Sequence, residues 1–150
     1  MIVHIFANGS YPRGIDTVIH NEKRADLIIA ADGGTDYCRL LDIIPHIIIG
    51  DLDSITPALI KQYQTAGVEV IRLPARKDAT DLELAVDLAM AKGAEQIVLF
   101  GVLGGRWDMS LSNVMLAGSE KYKHISISLL DVQCRIHIVH GGTSLLLEGY

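Results

Sequence analysis

Aspartates and glycines gather in a few short clusters along this chain, and their company indicates a chemistry. Asp51 and Asp53 stand one residue apart in Gly50-Asp51-Leu52-Asp53-Ser54, Asp78 and Asp81 flank Ala79-Thr80, Asp32 precedes Gly33-Gly34, and Asp108 follows Gly104-Gly105-Arg106-Trp107. Carboxylates brought together repel, so such a grouping is tolerated mainly when a cation offsets it. Hard oxygen ligands with no Cys or His constellation nearby suit magnesium, which takes one or two carboxylates and leaves its other positions to water and substrate phosphates. Glycine pairs fit the same chemistry, because backbone N–H groups then approach phosphate closely and the first turn of a following helix adds a positive dipole end. Arg76, Lys77 and Arg106 supply positive charge beside these clusters. The pattern points to a nucleotide phosphate chain handled through magnesium.

Each cluster also has a plainer structural role. Thr80 with Glu83 makes an ordinary capping box, and Asp81 or Asp108 is favourable in any first helical turn. Gly104-Gly105 serves equally as a turn, and Asp32 beside two glycines is evenly balanced. The Asp51 and Asp53 pair leans toward function, since two acids at the end of a buried strand bring repulsion without structural gain. The six histidines show no ligand spacing; His46, His137 and His140 read as strand-edge or surface residues, and Cys38 as a packed helix residue. No Gly-x4-Gly-Lys-Ser/Thr loop, Gly-x-Gly-x-x-Gly after the first strand, Gly-x-Ser-x-Gly elbow or Cys-x-x-Cys is present.

The elements that position these clusters are short. Apolar runs recur at Ile2 to Ala7, Leu27 to Ala31, Ile47 to Ile49, Val68 to Leu73, Ile97 to Phe100 and Ile125 to Leu130. Their near-continuous Ile, Val and Leu content suits strands buried on both faces. Thr56-Pro57 opens a helix through about Gln64 that carries Leu59, Ile60 and Tyr63 on its apolar stripe. Thr80 opens another with Leu82, Ala85, Val86 and Ala89 inward, and a third runs from about Trp107 to Tyr122 with Trp107, Leu111, Val114 and Met115 as its buried face. Strands alternating with helices predict an α/β fold: an open, mostly parallel, Rossmann-like sheet of about six strands with helices on both faces. The tail differs, because Arg135 to His140 alternates polar and apolar residues before Gly141-Gly142 and Leu145 to Leu147, which is the pattern of a hairpin opening an antiparallel β-domain. In a parallel sheet ligands bind beyond the strands' carboxyl ends, and every acidic or glycine cluster follows an apolar run.

With 150 residues, 49% of them hydrophobic, the chain can bury a core without disulfides or a structural metal. Its net charge of −5 argues against nucleic acid or an anionic membrane surface as partner. No apolar run approaches the roughly 20 residues of a membrane span. The N-terminal run lacks a basic leader and reads as a first strand, which makes the cytoplasm the expected location.

Ala31-Asp32-Gly33-Gly34, Gly50-Asp51-Leu52-Asp53-Ser54, Asp78-Ala79-Thr80-Asp81 and Gly104-Gly105-Arg106-Trp107-Asp108, with Leu111 and Asn113, follow one another in an order that resembles thiamine pyrophosphokinase. The resemblance spans residues 31 to 113 and extends more faintly from the first strand to Asp131. It implies transfer of the terminal diphosphate of ATP to the hydroxyl of thiamine with magnesium, releasing AMP, by a homodimer whose α/β and β-sandwich domains share the sites. Carried onto this chain, it implies that Asp51, Asp53 and Asp81 handle magnesium and phosphate near Asp78 and Thr80. Asn8, Gly9, Asp32, Gly33, Gly34, Gly104 and Gly105 would line the nucleotide site, Arg106 would meet phosphate and Asp108 would face thiamine. Met109 and Cys134 depart from the family, which often carries His and Asn at those positions.

The expected division is residues 1–131 as the nucleotide-binding catalytic domain and 132–150 as the beginning of a truncated thiamine-binding β-sandwich. Two other classes compete. Asp51-Leu52-Asp53-Ser54 also resembles the nucleophile loop of haloacid-dehalogenase-like phosphatases, although that loop normally ends the first strand of its fold. The other alternative is a nucleotide-binding module without catalysis.

Overall fold

The computed structural model describes residues 1–75, 78–142 and 144–146. Strands β1 (Ile2–Phe6), β2 (Leu27–Ala31), β3 (Ile47–Gly50), β4 (Glu69–Arg72), β5 (Gln96–Phe100), β6 (Ser126–Leu130) and β7 (Arg135–His137) form one sheet in the order β4-β3-β2-β1-β5-β6-β7. All neighbours run parallel except β6 and β7. The helices between them are α1 (Ile15–Asn21), α2 (Gly34–Leu40), α3 (Pro57–Thr65), α4 (Asp81–Ala91) and α5 (Trp107–Ala117).

The apolar strand runs bury alternate residues on opposite faces. Val3, Ile5, Ile29, Ile47 and Ile49 pack with α4 and α5, whereas Phe6, Ala30, Ile48 and Phe100 pack with α1, α2 and α3. Both faces of β1, β2, β3, β5 and β6 are thereby removed from water, and continuous rather than alternating hydrophobicity is the result. Edge strand β4 is the exception: Val70 and Ile71 are only half-buried between exposed Glu69 and Arg72.

Local signals set the helix starts. Thr56 accepts the Leu59 N–H at 3.3 Å, with Pro57 in the first turn of α3. Thr80 accepts the Glu83 N–H at 3.1 Å at the head of α4, whose buried residues are Leu82, Ala85, Val86 and Ala89, as its spacing requires. The third helix departs from expectation. It stops at Ala117, and a separate 3₁₀ turn, Glu120–Tyr122, follows Gly118 and Ser119. Trp107 (77% exposed), Leu111 and Met115 face solvent, while small Ser110 and Ala117 are buried, with Val114 and Leu116 partly so. Helical spacing groups residues on one face but does not say which face meets the sheet, and here the small residues lie on the buried side.

The tail turns antiparallel, as its alternating pattern predicts. Its first strand, β7, pairs antiparallel with β6 through Leu130 with Arg135 and Ser128 with His137, so it extends the same sheet past residue 131. Residues 144–146 form no strand, and the rest of the second run lies outside the described residues.

Candidate functional site at the switch point of the sheet

From β1 the chain winds outward through β2, β3 and β4, then returns across the sheet to lay β5 on the other side of β1. Loops leaving β1 and β5 therefore diverge, and a crevice opens at their carboxyl ends. A cleft of about 540 Å³ lies there, and among the residues lining it are Asn8, Gly9, Asp32, Thr80, Asp81, Gly104, Gly105 and Arg106. Glycine is required where the loops meet: a Cβ on Gly9 would lie 1.9 Å from the Gly101 carbonyl oxygen. Tyr11, which the sequence reading passed over, closes the junction from behind. Its hydroxyl donates to Ala7 O (2.8 Å) and Phe100 O (3.2 Å), the last carbonyls of the two diverging segments, and its ring stacks on Tyr37.

Asp32 takes a positive φ of 45°, unusual for a residue with a side chain, and its N–H donates to Ile49 O at 2.8 Å. Strain of this kind recurs at functional positions. Gly33 and Gly34 are buried outside the cleft lining, and a Cβ on Gly34 would stand 1.9 Å from Phe6 O. Their contribution is close packing of α2 against β1, which brings Asp32 to the cleft.

Helices α4 and α5 both begin at the cleft, so their unpaired first-turn N–H groups and positive dipole ends lie beside it. Gly104 and Gly105, with φ of 81° and 67°, form the left-handed turn that leads into α5. That turn is held from inside the helix: Ser110 Oγ donates to Gly104 O and Arg106 O, each at 3.3 Å, and Asn113 Nδ2 donates to Val102 O at 2.8 Å. Ser110 carried no sequence signal beyond helical spacing.

Not every expected residue reaches the cleft. Asp51, Asp53, Asp78 and Asp108 are absent from its lining. Asp51 Oδ1 accepts the Asp53 N–H at 3.1 Å, closing a turn whose middle residue, Leu52, has φ of 62° and a buried side chain. Arg72 Nη1 donates to Asp51 O at 3.2 Å and ties this turn to β4. Asp53 and Asp78 are exposed. Asp108 is gripped by Arg106, whose hydrogen bonds hold the carboxyl below its ordinary range. The expected trio Asp51, Asp53 and Asp81 is not a ready-made metal cage, for no three His, Cys, Asp or Glu among the described residues converge closely enough. Magnesium commonly needs only one or two carboxylates alongside phosphate and water. The donor set therefore fits magnesium brought with a phosphate ligand. Arg76 and Lys77 lie outside the described residues.

A doubly wound sheet with a glycine-walled cleft at its switch point defines a Rossmann-like α/β protein, a class whose ligands sit along the carboxyl edge of the sheet. Residues 19–129 match the family described as thiamin pyrophosphokinase, catalytic domain, and the chain belongs to that family. It is 39% identical over 116 residues to the thiamine pyrophosphokinase of Bacillus subtilis (strain 168), covering 77% of this chain and 54% of that protein. Identity with thiamin pyrophosphokinase 1 of Caenorhabditis elegans is 38% over 122 residues, covering 75% and 48%. Among solved structures, the Bacillus subtilis thiamine pyrophosphokinase superposes with a TM-score of 0.68 at 33% identity, covering 88% of this chain and 61% of that one. The Geobacillus thermodenitrificans thiamin pyrophosphokinase gives 0.67 at 31%, covering 87% and 60%. The chain spans about half the length of the curated relatives it matches. Neither the phosphatase nor the non-catalytic alternative is favoured by these matches, and Asp51 follows the third strand rather than the first. No helix among the described residues is long and apolar enough to cross a membrane.

Proposed function

We propose that this chain carries the nucleotide half of an enzyme that transfers the terminal diphosphate of ATP to the hydroxyl of thiamine, giving thiamine diphosphate and AMP. The observation that carries this reading is the meeting of Asp32, Asp81, Gly104, Gly105 and Arg106 in one cleft at the switch point, inside the segment that matches the family's catalytic domain. Glycine backbone N–H groups and the first turns of α4 and α5 cradle the phosphates, and Arg106 gathers oxyanion charge as the β-phosphorus is attacked. Asp51, Asp53 and Asp81 would hold magnesium brought in with the phosphates, and the ion would supply positive charge against the phosphate oxygens. Asp108 faces thiamine, and its pairing with Arg106 has to open for both groups to engage their substrates.

In this reading residues 1–131 are the catalytic unit and 132–150 begin a thiamine-binding β-unit, with β7 seated on the edge of the catalytic sheet. The active form is a cytoplasmic homodimer, whose two copies share the acceptor site. The deciding experiment follows AMP release from ATP and magnesium with and without thiamine, using this chain and a version extended to the length of its relatives. Thiamine-dependent AMP release by the extended protein is expected. Release that is insensitive to thiamine, or a beryllium-fluoride-trapped aspartyl phosphate at Asp51, would overturn the assignment.

A further inference from the structure

A second cavity, of about 720 Å³, opens at the opposite edge of the sheet from the ATP cleft. It sits beside the amino ends of β1, β2 and β3, between the segment that follows α1 and the one that follows α2, with Phe6, Ile19, Ile28 and Ile43 among its apolar walls. His4 lines it. This side chain is only 5% exposed, its ring stands edge-on to Phe100, and its Nε2 is buried with no hydrogen-bond partner. The other side of the ring bonds to the Lys23 backbone, and burial holds the ring neutral by pulling its pKa below the ordinary value. A neutral imidazole that donates from Nδ1 presents Nε2 as a bare acceptor. Leaving such an atom unmatched in the interior is costly, so its presence on a cavity wall marks a place where a donor is expected.

Charge on the rim narrows the class of ligand. Glu22 is engaged in an ion pair with Arg135, and Asp26 Oδ2 accepts the Ile2 N–H at 2.7 Å. His46 Nδ1 accepts the Ile28 N–H at 3.0 Å, which leaves Nε2 as its protonated nitrogen. Lys23 and Arg24 also line the cavity and form no ion pair among the described residues. Two uncommitted cations, one of them a planar guanidinium fork, suit a phosphate dianion.

We propose that this cavity is a second ligand site that takes a small phosphate monoester, with its phosphate against Lys23 and Arg24 and a hydroxyl donating to His4 Nε2. The site shares no residue with the ATP cleft and does not depend on the thiamine reading.

The test is a ring-nitrogen NMR titration of the ¹⁵N-labelled chain with glycerol 3-phosphate and with ribose 5-phosphate, with inorganic phosphate run in parallel. A saturable shift of His4 Nε2 is expected with an ester and not with inorganic phosphate, and it should persist in Asp51→Asn. The surface double variant Lys23→Gln/Arg24→Gln, which leaves the core untouched, should weaken ester binding about tenfold or more. His4→Gln should weaken it too; if that variant fails to fold, the surface variant still decides. No saturable His4 response to either ester up to millimolar concentration overturns the site, and so does a response abolished by Asp51→Asn. Equal His4 shifts with inorganic phosphate would overturn the hydroxyl contact.

Discussion

Arg106 grips Asp108 through two parallel hydrogen bonds, Nε to Oδ1 at 3.1 Å and Nη2 to Oδ2 at 2.5 Å. Both side chains are well exposed, so the pair adds little to the stability of the fold. It keeps two groups proposed to serve different substrates occupied with each other. Asp108→Asn should therefore cost no more than about 0.3 to 1 kcal/mol of stability as a lost first-turn acid and tighten ATP binding by this chain, because Arg106 is released, while thiamine-dependent turnover of the extended enzyme falls. Calorimetric titration with ATP checks the first effect, and weaker ATP binding would contradict the competition.

Asp51→Asn and Asp53→Asn should each abolish magnesium-dependent ATP binding. The Asp51 change keeps an Oδ1 acceptor for the Asp53 N–H, so the turn survives and stability should move by less than about 0.5 kcal/mol. Binding titrations with and without magnesium are the measurement. Unchanged affinity in both variants would remove these residues from the metal site.

Asp81 and Thr56 both belong to helix starts, yet only Asp81 lines the cleft. Asp81→Asn should cost about 0.3 to 1 kcal/mol as a lost first-turn acid, while turnover of the extended enzyme falls by orders of magnitude. Thr56→Ala should cost about 1 kcal/mol as a lost cap and leave turnover alone. Denaturant melts and steady-state rates on the same preparations separate the two behaviours.

Tyr11→Phe removes the hydroxyl shared by the Ala7 and Phe100 carbonyls. The expected loss is about 1 kcal/mol of stability, since Ala7 O loses the Tyr11 hydroxyl while Phe100 O keeps the Ala7 N–H at 2.9 Å. ATP affinity should drop with it, because only the Ala7 N–H to Phe100 O bond then holds the loops leaving β1 and β5 together. A full loss of stability with unchanged ATP affinity would make Tyr11 purely structural.

Burial depresses the pKa of His4 from its ordinary 6.5, the nearby Glu22 opposing the shift and Arg135 adding to it. The unfolded chain then binds a proton at a higher pH than the folded chain does. Stability contributed by neutral His4 is thus complete above about pH 6.5 and declines as the pH falls from there toward the folded value. Denaturation midpoints measured from about pH 7 to about pH 5.5 should fall for the natural chain. His4→Gln should flatten that slope, leaving the contribution of His137, which burial also depresses.

The strand runs, the Thr56 and Thr80 caps and the inward face of α4 were legible in the sequence because each rests on interactions within a few residues: buried Ile and Val runs, side-chain-to-N–H caps and 3.6-residue spacing. Placing acids and glycines after each strand likewise marked the carboxyl edge as the ligand edge, since a parallel sheet leaves that edge open whatever its strand order. Tertiary structure decided what depends on distant partners. It turned the Trp107, Leu111 and Met115 stripe outward and buried Ser110 and Ala117 instead. It gave β7 a partner in β6. It seated Asp32, Asp81 and Arg106 together while leaving Asp51 and Asp53 in their own turn, because strand order alone determines which loops meet. His4 is the clearest case: one histidine within an apolar strand becomes the unmatched acceptor on a cavity wall only when the segments after α1 and α2 close around it.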